Sequence, residues 1–166
     1  QKPLIAVVNL DEDEIRSEAE ILAPFGPWAA QPNTAVIGLS ARLEREIRQL
    51  PEADARSFRS DFGIESSALD RLIATAYRMM GLVSFFTVGS DEVKAWTIGE
   101  GTDAVRAAGV IHSDIARGFI RAEVVSYSDF VGHGDIAACR SEGTLRLEGK
   151  DYPVRDGDII NFRFAV

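Results

Sequence analysis

Three groups of residues in this chain could do chemistry. Asn9-Leu10-Asp11-Glu12 and Ser40-Ala41-Arg42 each follow directly on a short apolar run. An Asn carboxamide offers a donor and an acceptor side by side, and a Glu carboxylate is a pure acceptor. His112 stands two residues before Asp114, which could pair a general base with the group that orients it. No nucleophile or oxyanion donor accompanies them, and a loop histidine holding its own turn is the simpler reading. Arg117 and Arg121 flank Phe119, and Lys94 is two residues from Trp96. Cations beside aromatics can meet RNA phosphates and bases. The plainer reading of these is solvated strand faces and core aromatics.

Other chemistries are missing. Two histidines and the single cysteine, Cys139, lie far apart, so no metal-ligand spacing exists. A lone cysteine forms no internal disulfide and suits a reducing cytoplasm. Beside Ala137 and Ala138, Cys139 reads as a small buried side chain. His133, between two glycines, reads as an exposed loop residue. The acidic run of residues 11–14 suits a helix N-terminus, where the helix dipole favours negative charge. Phosphate handling needs a Gly-rich loop with a Lys and a Ser or Thr for Mg²⁺, and none is present. The nearest imitation, Gly143-Thr-Leu-Arg-Leu-Glu-Gly149-Lys150, has one residue too many between its glycines and is followed by Asp151.

The elements that must carry these residues follow from hydropathy. Leu4-Ile-Ala-Val-Val8 is an unbroken apolar run, which predicts a strand buried on both faces. Residues 12–22 predict a helix, broken by Pro24, Gly26 and Pro27. Thr34-Ala-Val-Ile-Gly38 predicts a second buried strand, and a helix to about Leu50 follows. The order strand, helix, strand, helix is that of a doubly wound α/β sheet, in which ligands sit at the C-terminal ends of strands. Both Asn9–Glu12 and Ser40–Ala41 occupy such ends. Residues 52–61 read as a short polar helix. Ser66 or Ser67 then caps a stronger one, whose Leu69, Leu72, Ile73, Ala76 and Met80 fall on one apolar face. Met79 and Met80 read as packing residues. Gly81 ends this helix, and the domain boundary is expected there, giving domains 1–80 and 81–166.

The second part predicts a hairpin, with strands at residues 83–88 and 93–98 joined through Gly89-Ser90-Asp91. A helix should run from Thr102 or Asp103 to Ala108, with Gly109 as its left-handed C-terminal cap. A tight loop carrying His112, Ser113 and Asp114 comes next, its Ser and Asp side chains accepting from nearby N–H groups. Gly118 then leads into a strand at residues 119–125. Gly132-His133-Gly134 should be a loop, residues 135–141 a helix, and residues 144–147 and 159–164 strands, with a turn at Asp156-Gly157. A hairpin, a helix and returning strands make a β-grasp fold, like ubiquitin.

The wording is also specific. Gly109-Val-Ile-His-Ser-Asp-Ile-Ala-Arg-Gly-Phe-Ile-Arg-Ala-Glu-Val and Tyr127-Ser-Asp-Phe130 closely resemble the TGS domain at the C-terminus of the Obg-like ATPases, the YchF family. Glu148-Gly-Lys-Asp-Tyr152 and Asp156-Gly-Asp-Ile-Ile-Asn-Phe-Arg-Phe164 match as well. The resemblance runs from about Gly81 to Val166. Asn9-Leu-Asp-Glu12 and Ser40-Ala41-Arg42 resemble the two base-recognition loops of GTPase-type P-loop domains, usually Asn-Lys-x-Asp and Ser-Ala-Lys. There the Asn meets a purine at N7 and its neighbouring exocyclic group, and the Asp accepts from two guanine N–H donors. Glu12 replaces that Asp, and Leu10 replaces the Lys whose stem stacks on the base. The Obg-like ATPases share the Asn-x-x-Glu departure, so the resemblance implies ATP with tolerance of GTP.

The chain therefore reads as an incomplete P-loop NTPase-type segment followed by a TGS β-grasp domain. Two strands with helices cannot bury their faces alone, so a phosphate-binding N-terminal half is expected elsewhere, and Mg²⁺ only with it. The base contacts fall to Asn9, Leu10, Glu12, Ser40 and Ala41, with no catalytic residue and no metal. Lys94, Arg117 and Arg121 are candidates for RNA or partner contact. The resemblance implies docking on the ribosome, its large subunit, in the cytoplasm. A different reading is a free-standing, non-enzymatic β-grasp adaptor for RNA or protein. Net charge is −8, with 9 basic and 13 acidic residues in each half, so bulk charge argues for no nucleic acid. A local basic face is compatible with that. No run of about 18 apolar residues exists, so no membrane partner is expected.

Overall fold

The computed structural model describes residues 2–64, 66–89 and 92–165. The chain forms two compact units, Gln1–Met80 and Gly81–Val166.

In the first unit β1 (Leu4–Asn9) pairs in parallel with β2 (Thr34–Leu39). Between them lie a 3-10 helix (Glu12–Ser17), α1 (Glu18–Leu22), a 3-10 turn (Ala23–Phe25) and α2 (Gly26–Ala29). The predicted single helix is thus split. The tight i to i+3 bond from Glu14 N–H to Asp11 O, at 3.1 Å, starts it as a 3-10 turn. Pro24 and Pro27 occupy first-turn positions, where a missing N–H leaves no bond unmade. After β2 come α3 (Ala41–Ile47), α4 (Glu52–Asp61) and α5 (Ala68–Met79). Ser67 is the cap of α5, accepting from Asp70 N–H at 3.1 Å.

Two readings of burial are corrected. Leu4 and Val7 of β1 are about half exposed, because a two-stranded sheet covers only part of its faces. On α5, Leu69, Ile73 and Met80 are also about half exposed, while Ala68 and Thr75 are buried. The apolar face of that helix is only partly covered, with Leu72 and Ala76 half-buried. The core is smaller: Leu43, Ile47 and Ala55, with Ile15, Phe58, Phe62 and Ile64 against them.

In the second unit β3 (Leu82–Val88) and β4 (Val93–Gly99) form an antiparallel pair. Of the expected turn, Ser90 and Asp91 lie outside the described residues. Then follow α6 (Ala104–Ile111), α7 (Ser113–Arg117), β5 (Phe119–Ser126), α8 (Tyr127–His133), α9 (Ile136–Ser141), β6 (Arg146–Glu148) and β7 (Asp158–Phe164). The sheet order is β4-β3-β7-β5-β6, with β3 and β7 parallel and the other neighbours antiparallel. One face packs on Ala104, Ala107 and Ala108 of α6 through Phe85, Ile98, Val124, Ile160 and Phe162.

The central loop differs from its prediction. Gly109 is interior to α6, which runs on to Ile111. His112 ends that helix with extended backbone, and its Nδ1 accepts the N–H of Asp114 at 3.2 Å, starting α7. One residue closes one helix and caps the next, so no loop intervenes. Gly132 and His133 are likewise helical, and Gly134, at φ +91°, ends α8. Among the described residues no helix is long and apolar enough to cross a membrane.

Candidate nucleotide-base and partner sites

β1 and β2 run in register from Leu4↔Thr34 to Asn9↔Leu39, so both loops leave the same C-terminal end of the sheet. Leu10 N–H donates to Leu39 O at 2.8 Å, carrying the pairing one step past the strands. Asn9 Oδ1 then accepts the N–H of Ala41 at 3.0 Å. A backbone N–H can face only the oxygen of the amide, so Nδ2 points away with its donors free of that contact. Ser40 is 2% exposed, and its hydroxyl caps α3 by accepting from Leu43 N–H at 3.4 Å. Ser40 therefore shapes the loop, while Asn9 and Ala41 present its polar edge. Glu12 Oε1 lies 2.9 Å from Arg42 Nε, so the first loop's acid is ion-paired to the residue after the second loop.

Leu10 is a correction. It is 2% exposed, and a Cβ built on Gly38 would meet its Cδ1 at 3.0 Å. The side chain is core under β2 and has no surface to offer a base. An apolar residue replacing an amphipathic Lys is drawn inward by the hydrophobic effect.

Behind the loops lies a group that sequence reading missed. Arg71 on α5 donates from Nη1 to Glu18 Oε2 at 3.1 Å and from Nη2 to Glu18 Oε1, a two-pronged pair. Glu18 Oε1 also accepts Gly38 N–H at 3.1 Å, and Arg71 Nη2 donates to Gly38 O at 2.9 Å. The pair thus takes both hydrogen-bonding groups of Gly38 in β2. Fifty-three positions separate the partners, so no local pattern reveals them.

The nearest imitation of a phosphate loop in the sequence is not one. The span 143–150 is a left-handed turn at Gly143, strand β6 and a second turn, not a strand-to-helix loop. Near His112, Asp114 Oδ2 stands 3.6 Å from Nδ1, with both side chains exposed. Because Nδ1 already accepts a backbone N–H, the imidazole serves the helix junction.

The partner candidates separate. Lys94 Nζ lies over the Trp96 ring at 4.2 Å, and Trp96 Nε1 donates to Thr87 Oγ1 at 3.0 Å. Arg117 is paired to Asp114 at 3.2 Å. Arg121 sits directly opposite Arg163 across β5 and β7. The cluster around Arg121 also contains Arg140 and Glu123, which sequence reading missed. Glu123 is 6% exposed; Arg163 Nη2 donates to its Oε2 at 3.0 Å, and Arg140 Nη2 lies 3.3 Å from its Oε1. The alternation of Arg121 with Glu123, and of Asn161 with Arg163, was the available signal, but the strand pairing that joins them is not in the pattern.

Comparison with known proteins follows this geometry. Residues 82–165 match the family model YchF-GTPase_C, described as a protein of unknown function (DUF933). The ribosome-binding ATPase YchF of Bacillus subtilis is 44% identical over 167 residues, covering 99% of this chain and 46% of that protein. Obg-like ATPase 1 of Caenorhabditis elegans is 40% identical, covering 98% of this chain and 42% of that protein. The structure of the Schizosaccharomyces pombe YchF GTPase superposes with a TM-score of 0.80 at 33% identity, over 98% of this chain and 43% of that one. The chain spans less than half the length of the curated relatives it matches. With a mixed α/β fold like that structure and a match along nearly its whole length, the chain belongs to the YchF family, whose C-terminal part it represents.

Proposed function

We propose that residues 1–80 are the base-recognition end of a P-loop nucleoside triphosphatase domain and residues 81–166 a TGS β-grasp domain that docks on the ribosome. The observation that carries the first half is the bond from Ala41 N–H to Asn9 Oδ1, which ties the two loops together at one end of a parallel pair. It leaves Asn9 Nδ2 to donate to N7 of a purine. The charge of Glu12 is partly answered by Arg42, whose Nε lies 2.9 Å from Oε1, although that oxygen accepts no hydrogen bond. Guanine's two N–H donors need both oxygens of an acid, so this loop suits adenine at least as well, in keeping with ATP preferred over GTP. The contacts are then Asn9, Glu12 and Ala41, with Ser40 shaping the loop. The phosphates and Mg²⁺ fall to an N-terminal half.

The order β4-β3-β7-β5-β6 supports the second half. The last strand lies between the first and third strands of its unit, parallel to the first, and α6 packs across one face. A β-grasp domain has its strands in that order, which supports the reading. Relatives named ribosome-binding ATPases support the ribosome as partner, and with it a cytoplasmic setting.

The intact mass of the protein in its source cells is the first test. A mass more than twice the 18.1 kDa of this chain leaves room for the phosphate-binding half. In that protein, Asn9→Ala weakens ATP binding by roughly tenfold, the loss of one or two hydrogen bonds. Unchanged ATP affinity in the variant sinks the base-pocket reading. A mass matching this chain replaces it with the non-enzymatic adaptor. The isolated chain hydrolyses neither ATP nor GTP; hydrolysis that persists through further purification contradicts the assignment.

A further inference from the structure

The face of the second unit's sheet that turns away from α6 carries more positive charge than its one buried carboxylate, Glu123, requires. In antiparallel pairs, directly opposed residues share a face. Arg121 and Arg163 are such a pair, so two guanidiniums stand side by side. Like charges placed opposite each other destabilise a sheet. One step along, Glu123 pairs with Asn161 on β7 and Leu147 on β6, on the same face. Its buried carboxylate is shared by Arg163 from β7 and Arg140 from α9, with Asn161 Nδ2 at 3.4 Å. Two guanidiniums from two elements thus share one carboxylate, and Arg121 stands on the same face two residues along β5; three cations and one anion sum to +2 in a unit of net −4. Arg121 has no acidic partner among the described residues. Arg140 and Arg163 stay about half exposed although each touches Glu123.

The geometry points to this face, at Arg121, Arg140 and Arg163, as a binding surface for the phosphate backbone of RNA. It rests on the ribosome-docking reading and names the chemistry of that contact. A guanidinium keeps five donors in a planar fork that matches phosphate oxygens two at a time, and Arg163 spends only part of its fork on Glu123. Glu123 acts as a positioning residue: it holds two of the three forks at fixed places on a rigid strand without cancelling the field. An acidic protein fits less well. Stable protein interfaces carry an apolar centre, and the large apolar side chains left exposed on β5, β6 and β7 are single residues, Ile120, Leu147 and Phe164, one to each strand. Lys94 and Arg117 are outside the surface, held by Trp96 and Asp114.

The test uses the full 166-residue chain. Its binding to a fluorescent single-stranded RNA of ~20 nucleotides, longer than the roughly 4–16 such sites cover, is followed by anisotropy at rising KCl. Pelleting with ribosomes is measured in parallel. Arg121→Glu with Arg163→Glu should weaken RNA binding by roughly tenfold or more and lower the log–log salt slope by about 1.4, two phosphates at about 0.7 each. Arg121→Lys with Arg163→Lys keeps the charges and the fold, and should hold both affinity and slope within about twofold. Lys94→Glu and Arg117→Glu should change little. Should the double reversal bind RNA like the unaltered chain while that chain pellets with ribosomes, the surface is wrong and the docking reading stands. Should the reversal abolish pelleting while the unaltered chain binds no RNA, the partner is an acidic protein and the RNA assignment is overturned. A chain that never pellets with ribosomes overturns the docking reading, and the RNA titration still decides the surface.

Discussion

The N–H of Ala41 donates to Asn9 Oδ1 at 3.0 Å, joining two loops that lie 32 positions apart in the chain. The bond performs two tasks. It holds the end of β1 to the start of α3, and it fixes which way the Asn9 carboxamide faces. Two substitutions separate them. Asn9→Ala loses both, and should cost about 0.5–1.5 kcal/mol, the net worth of one hydrogen bond. Asn9→Asp keeps the acceptor for Ala41 and loses the outward donor. It should fold within about 0.5 kcal/mol of the unaltered chain while losing adenine recognition as fully as Asn9→Ala. Each unit holds one tryptophan, Trp28 and Trp96. Urea unfolding of the first unit is therefore read from Trp28 in a Trp96→Phe background. Equal stability losses in the two variants would count against the bond.

Glu18 and Arg71 give a second test. Their side chains are 23% and 34% exposed, and together they take both polar groups of Gly38. Removing either partner strands the other charge and leaves the edge of β2 unmet. Glu18→Gln and Arg71→Met should each cost about 1–3 kcal/mol, and the double variant less than their sum, since the two act as one unit. Additive losses in the same Trp28 measurement would mean that the two side chains act separately. Gly38→Ala should mimic the loss, because its Cβ would come within 2.9 Å of Glu18 Cγ and Oε1.

The contrast between these two groups explains what the sequence could convey. The strand ends, the cap at Ser67 and the placing of Asn9 and Ser40 at those ends were legible because each is local: an apolar run, then a polar residue with a defined hydrogen-bonding task. Side-chain direction was not. Leu10 reads as a residue at a loop and proves to be core, because a position just past a strand still follows the strand's packing. The stripe on α5 shows the reverse, a correct helical period in which Leu72 and Ala76 are half-buried while Leu69, Ile73 and Met80 stay open. Arg163 and Arg140 escaped because a basic surface drawn from β5, β7 and α9 exists only once those elements are paired.

Gly118 leads into β5, and its environment makes a strict demand. A Cβ built there would lie 1.8 Å from Ala165 O, and Gly118 O accepts Ala165 N–H at 2.9 Å. The backbone at the end of β7 therefore crosses the space a side chain would need. Its φ is ordinary, so the requirement is steric and not conformational. Gly118→Ala must push residue 165 away and break that bond, at a cost of about 1–3 kcal/mol or more. The Tm of the second unit, read from Trp96 in a Trp28→Phe background, should fall by more than about 5 °C. An unchanged Tm would show that the chain end moves aside freely and that the contact holds nothing.

The last prediction concerns pH. The Tyr152 hydroxyl donates to Asp158 Oδ2 at 2.9 Å, and Arg155 N–H donates to the same oxygen at 2.9 Å. Arg146 Nη2 donates to the Tyr152 oxygen at 3.0 Å. Burial holds the Tyr152 pKa above the ordinary tyrosine value, and the bond to Asp158, which exists only while the hydroxyl keeps its proton, pushes it the same way; Arg146 opposes them. A raised pKa means that the folded state favours the protonated phenol. The stabilisation is fully present below the unfolded tyrosine pKa of about 10 and is lost as pH rises through the higher folded value. Stability of the second unit should therefore fall at alkaline pH above about 10, in step with a late phenolate absorbance change. Tyr152→Phe should remove that late change. At neutral pH it should also cost about 1–3 kcal/mol, because buried Asp158 loses a donor. A phenolate titration complete near the ordinary tyrosine value, with the unit still folded, would falsify the arrangement. It would mean that the hydroxyl reaches water and that Asp158 is held by its other donors alone.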